Sequence, residues 1–185
     1  MEEGSAGLES FIAVEARTDL MAIAPPITDL EQLKTHPALA ALLDWNPAAI
    51  QGVKFDRDEM TIIVDRTHIR EICALLRDHA EFPFEFLSDV TCVDWYPSEP
   101  RFEVIYHLLS ISKKERVRLK VRLDGSSPVV ESMTGVWPAA NYFEREVFDL
   151  FGVRFTGHPY LRRILMPEDW EGNPLRKDYP VEGYR

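Results

Sequence analysis

Glu146 and Asp149, two carboxylates one helical turn apart, are the pair in this sequence best spaced for chemistry. Together with His158 a little downstream, they have the residue types to hold a proton or a divalent ion. Their neighbours argue for another use. Arg145, Arg162 and Arg163 crowd the same stretch. Nearby guanidinium groups lower a carboxyl pKa, whereas a general acid needs it raised. Guanidinium forks also match carboxylates in a bidentate way. An ion-pair network is therefore expected, with Arg162 or Arg163 closing onto Glu146 or Asp149, or onto carboxylates of another protein. His158, followed by Pro159, reads as a turn residue whose ring bonds to backbone. A free-standing small enzyme using Glu146 and Asp149 is the competing reading.

Other chemistries lack their residues. There is no glycine-rich phosphate loop, no GxGxxG and no GxSxG elbow, so nucleotide binding has no support. Cys73 and Cys92 are too few for an iron–sulfur cluster and read as reduced thiols of a cytosolic setting rather than a disulfide. His36, His68, His79, His107 and His158 show neither HExxH nor helical i, i+4 spacing, so no metal site is expected. A formal net charge of −10 argues against general nucleic-acid binding and against attraction to anionic lipid. The expected partners are proteins.

The carboxylates must be positioned by the stretch from Trp137 to Arg163. Pro138 suits a first helical turn and Gly152 the left-handed position just past the last. Between them Ala140, Phe143, Val147, Leu150 and Phe151 share about 100° of arc and form the face to be buried. Arg145, Glu146 and Asp149 fall on the opposite side, with Glu144 at the boundary. Val153 and Phe155 then alternate with polar residues in a brief extended run, Gly157-His158-Pro159 turns the chain, and two arginines interrupt Leu161 to Leu165.

Upstream, Thr28 and Glu31 have capping-box spacing, and Pro37 opens a second short helix through Leu43. Ile50–Phe55 and Met60–Val64 read as a hairpin, and Asp65 as the cap of a helix whose buried face is Ile69, Ile72, Cys73 and Leu76. Three more strands are expected at Phe86–Trp95, Phe102–Leu109 and Arg116–Leu123. The last alternates most clearly, with Val117, Leu119, Val121 and Leu123 against Arg116, Arg118, Lys120 and Arg122. One face is core; the basic one reads as a solvated sheet face or edge. Phe82, Phe84 and Phe86 around Pro83 read as core and turn packing. The fold class is α+β, a largely antiparallel mixed sheet with helices on one face and an extended C-terminal tail.

Three regions result. Residues 1–26 are an N-terminal extension without the features of a secretory signal, and nothing in the chain approaches a membrane-spanning run. Residues 27–163 form the domain. Residues 164–185, with Pro167, Pro174 and Pro180 and few apolar anchors, run extended and need a host surface. That surface is read as a partner subunit, gripped by Trp170 and Tyr179, with Arg176 and Lys177 meeting acidic residues. The competing reading is that the tail folds back on its own sheet.

The run Glu144-Arg145-Glu146, Asp149-Leu150-Phe151-Gly152, Gly157-His158-Pro159 and Leu161-Arg162-Arg163 resembles the signature of the C subunit of the respiratory NADH:quinone oxidoreductase, complex I. Pro167-Glu168-Asp169-Trp170 and Pro174 to Pro180 are similar to that family's ending. The resemblance implies a scaffold in the peripheral arm, without cofactors of its own, on the cytoplasmic side of a bacterial inner membrane and attached to it through the complex. Its neighbours would be the quinone-pocket subunit and the cluster-bearing subunits, with flavin and iron–sulfur clusters confined to those partners. Glu144, Arg145, Glu146, Asp149, Gly152, Gly157, His158, Pro159, Arg162 and Arg163 would then serve assembly and interface. An equivalent scaffold in a membrane-bound hydrogenase or formate-oxidising complex is the alternative.

Overall fold

A computed structural model describes residues 25–183. The extension expected over 1–26 therefore lies almost wholly outside the described residues. Helix α1 (Leu30–Leu33) is capped one residue later than Thr28 suggests, because the Asp29 carboxylate accepts the Glu31 N–H at 3.0 Å. Pro37 opens α2 (Pro37–Trp45) at a position where its missing N–H is harmless. The hairpin follows as β1 (Ile50–Asp56) and β2 (Glu59–Val64), with Arg57 and Asp58 both at positive φ as a tight two-residue turn requires. Asp65 accepts the Thr67 N–H and opens a 3₁₀ turn that runs into α3 (Ile69–Arg77), which buries Ile69, Ile72, Cys73 and Leu76.

Strands β3 (Phe86–Asp94), β4 (Phe102–Ser110) and β5 (Glu115–Leu123) complete a five-stranded sheet of order β1-β2-β5-β4-β3. Every pairing is antiparallel except β2 with β5. The α+β class and the mixed, largely antiparallel sheet are as expected. Met60, Ile62, Val104, Tyr106, Leu119 and Val121 belong to a single core with the buried residues of α3 and those of a later helix, α4 (Ala140–Phe151). Cys73 and Cys92 are free thiols within that core. Phe84 is buried, but Phe86 is 47% exposed, because it projects from the sheet's other face, where no helix lies.

Two short strands close the domain. β6 (Val129–Glu131), which is too short to leave a periodic signal, pairs in parallel with β7 (Arg154–Thr156), the brief extended run after Gly152. Between them in sequence stands α4, packed chiefly on β3. The β6–β7 pair thus returns the chain to the residues that precede α4. From 164 onward there is neither helix nor strand among the described residues.

Candidate functional site

Helix α4 ends where Gly152 takes φ 76°, its N–H bonding the Phe148 carbonyl. After β7, Gly157 at φ 80° turns the chain back, and residues 158–166 then run alongside α4 in the same direction. Polar contacts fix this strap at three levels. The His158 ring binds at the first turn, with Nε2 3.2 Å from the Asn141 carbonyl and Nδ1 accepting the Tyr160 N–H at 3.0 Å. In the middle, Arg145 donates to the carbonyls of Arg162 and Arg163 at 3.2 and 3.1 Å. At the last turn lies Asp149.

Asp149 is fully buried, not on the open side of the helix. The strap covers that side and brings the donors that make burial tolerable. Arg163 Nη1 lies 2.6 Å from Oδ1, and the backbone N–H groups of Ile164, Leu165 and Met166 donate to Oδ2 at 3.0, 2.8 and 2.8 Å. Burial pushes the carboxyl pKa up, but these bonds outweigh it and hold it below the usual range. Of the pairings the sequence left open, Arg163 takes Asp149. Arg162 instead stacks over the Tyr160 ring at 4.3 Å, and Glu146 is exposed with no ion pair among the described residues. The other fork nitrogen of Arg163, Nη2, donates to the carbonyls of Trp170 and Gly172, both at 2.9 Å, so one guanidinium ties helix, strap and tail together.

Glu144 is also fully buried and sits among uncharged partners. It accepts the Met133 N–H and the Ser132 hydroxyl, both at 2.6 Å, which tethers α4 to the loop after β6. Burial with no cation at hand raises its pKa to about 7. The helix pattern put Glu144 at a boundary; the loop 132–137 closes that boundary over it.

The tail lies on its own domain. The Leu175 N–H bonds the Leu150 carbonyl at 3.1 Å, and Asn173 Nδ2 bonds the Asp149 carbonyl at 2.9 Å. Of the two basic residues expected to meet acidic groups of a partner, Arg176 is engaged internally, whereas Lys177 is exposed and binds the domain through its backbone. Arg176 Nε donates to the Phe151 carbonyl at 2.6 Å, its guanidinium sits over the Phe102 ring, and the Lys177 N–H binds Asp94 at 2.9 Å. Tyr179 Oη reaches the Glu171 carbonyl at 3.4 Å. Trp170 is 38% exposed.

Two residues at the tail's anchor, Asp94 and Arg101, were not singled out by any sequence pattern. Arg101 grips Asp94 with two bonds and Asp178 with two more, all between 2.6 and 2.9 Å, and lies between the rings of Tyr96 and Phe102. The signal that could have found them is charge at the ends of apolar strands: Asp94 closes β3, and Arg101 stands just before β4.

This arrangement defines a two-layer α+β domain that uses carboxylates and arginines to lay its own C-terminal strap and tail across the last helix. Known proteins carry the same sequence pattern. Residues 62–185 match the family model of the respiratory-chain NADH dehydrogenase 30 Kd subunit, and the chain belongs to that family. It is 52% identical over 135 residues to the C subunit of the NADH-quinone oxidoreductase of Roseiflexus sp. strain RS-1, covering 73% of this chain and 78% of that one. Against the corresponding C subunit of Roseiflexus castenholzii the identity is 49% over 149 residues, or 80% and 86% of the two chains. Among solved structures, a chain of the archaeal membrane-bound sulfane sulfur reductase, a respiratory membrane complex, superposes with a TM-score of 0.68 at 27% identity, covering 80% of this chain and 86% of that one.

Proposed function

We infer that this chain is a scaffold subunit of the peripheral arm of a proton-translocating NADH:quinone oxidoreductase. In this reading it holds no flavin, iron–sulfur cluster or active site, and electrons pass from NADH to quinone through its neighbours. Its contribution is to keep the cluster-bearing subunits and the quinone-pocket subunit at fixed separations. It sits on the cytoplasmic side of the inner membrane and is attached through the complex; no helix among the described residues is long and apolar enough to cross a membrane.

One observation carries this reading. The His158 ring, the Arg163 guanidinium and the backbone N–H groups of Ile164, Leu165 and Met166 turn inward onto α4, while Tyr142, Tyr160, Leu165 and Leu175 stand 52–64% exposed on α4, the strap and the tail. Exposed aromatic and aliphatic side chains on a rigid, internally satisfied frame are what a subunit contact requires. The partner-facing role of residues 164–183 then belongs to the outer side of a docked tail.

The test is to tag the chain in its native cell, solubilise membranes gently, and identify what co-purifies together with the redox activity of the eluate. Cluster-bearing subunits with NADH:quinone activity are expected. The likeness to a chain of a sulfane sulfur reductase favours one second reading, an equivalent scaffold in a related membrane complex. Hydrogenase, formate-oxidising or sulfur-reducing partners would support that instead. A chain recovered alone would overturn both.

A further inference from the structure

The central sheet has helices on one face only, and the other face carries a concentration of positive charge. Between Lys113 and Arg122 stand six of the chain's 21 lysines and arginines with one acidic residue, Glu115, in a protein of formal net charge −10. Part of this charge is answered locally. Lys120 and Arg122 reach Glu103 at 2.6 and 3.6 Å, Arg118 pairs with Glu59, and Glu115 contacts His36 at 2.8 Å. Arg116 is exposed and has no ion pair among the described residues.

Strand register gathers several of these groups around one cleft. Arg118 stands opposite His107 on β4 and Thr61 on β2, and Arg116 opposite Leu109. A β-bulge between Leu87 and Asp89 displaces Ser88 from the ladder and leaves it exposed on the neighbouring strand. The result is an open cleft of about 410 Å³ lined by Glu59, Ser88, His107, Leu109, Arg116 and Arg118. Burial and the Arg118 charge hold His107 below its ordinary pKa, so at neutral pH its ring both donates and accepts.

The cleft therefore offers an unpaired guanidinium, a second guanidinium partly neutralised, a hydroxyl and a neutral imidazole, over an apolar floor and on the same face as the exposed Phe86. One carboxylate with an apolar neighbour fits this set. A phosphate dianion fits worse, because Glu59 lies in the lining, and a membrane surface would meet the chain's overall negative charge. We propose that this uncovered sheet face is a second subunit contact, whose cleft receives an acidic side chain from an extended segment of a neighbouring polypeptide, with Arg116 as its main anchor. The proposal rests on the subunit reading above.

The assembled complex is the material for the test. Ser88 is replaced by the photo-cross-linker p-benzoylphenylalanine, and Arg116→Glu and Arg116→Lys are compared for retention through a high-salt wash. The cross-link should map to a peptide of another subunit with Asp or Glu within a few residues. Arg116→Glu should retain about tenfold less of this chain, the loss of one charge-assisted contact, and Arg116→Lys should restore most of it. Cross-linking to lipid, to a peptide without carboxylates or to nothing would overturn the proposal, as would an Arg116→Glu chain retained like the parent. A tagged chain that brings down no other subunit overturns the subunit reading with it. One that brings them down without the cross-link overturns only this contact.

Discussion

Arg163 and Asp149, 14 residues apart, meet at 2.6 Å where the strap crosses the last turn of α4. Asp149→Asn keeps the shape but removes the charge that four donors converge on, leaving Arg163 without its counterion in a mostly buried site. The expected loss is about 3–5 kcal/mol in denaturant unfolding. The sign with pH follows from a carboxyl held below its usual range. Its stabilisation is present above the unfolded pKa and lost as pH falls through the folded one. The parent should therefore lose stability in acid by more than the Asn variant does.

Glu144 behaves in the opposite sense. Its pKa is raised from 4.5 to about 7 by burial, so the folded chain favours the protonated acid. Stability from this group is fully present below about 4.5 and declines as pH rises to about 7, by on the order of 3 kcal/mol. Glu144→Gln preserves an acceptor for the Met133 N–H and cannot ionise. It should match the parent near pH 4.5 and melt higher than the parent at pH 8. Equal melting temperatures for the two chains at both pH values would exclude a neutral Glu144.

Two glycines in the left-handed region separate backbone strain from crowding. At Gly152 a Cβ would fall 2.6 Å from Arg176 Nη2 and 2.7 Å from Asn173 Oδ1, whereas at Gly157 nothing lies within 4 Å. Gly157→Ala should cost only the conformational term, about 1 kcal/mol. Gly152→Ala should cost more and also displace the tail. Amide exchange at Leu175, whose N–H bonds the Leu150 carbonyl, should quicken in that variant and not in Gly157→Ala.

The helices and the sheet were legible because their periodicity is a property of each segment alone. The alternation in β5 fixes which residues face the core, and Pro138 and Gly152 mark the ends of α4. Periodicity places Asp149 on the side of the helix away from the core, but it does not say that a later segment will cover that side. Nothing local predicts that Ile164, Leu165 and Met166 aim three N–H groups at it. Strand β6 shows the same limit: three residues become a strand only because β7 lies beside them. The tail's few apolar anchors made an external host look necessary. The anchors it uses are polar and lie in other parts of the chain, Asp94 at the end of β3, Arg101 just before β4, and the carbonyls at the end of α4.

Arg101 is the hinge of that attachment, and its two carboxylate partners differ in a way that separates tail release from unfolding. Asp94 is nearly inaccessible and Asp178 is 41% exposed at its side chain. Burial opposes the Asp94 charge, but bonds from Arg101, the Lys177 N–H and the Tyr96 N–H outweigh it and hold the carboxyl at about 2. Arg101→Gln strands a buried carboxylate and should cost about 3–5 kcal/mol in global stability. Asp178→Asn leaves the Asp94–Arg101 pair intact and weakens only the contact that reaches into the tail. Global unfolding should barely change, while tryptic cleavage after Arg176 and Lys177 should speed up several-fold through local opening. In the parent the contribution of Asp94 to global stability is present above the unfolded pKa of about 3.8 and is lost as pH falls through about 2. If Asp178→Asn were cut no faster than the parent, the tail would be held by its backbone contacts with α4 and not by Arg101.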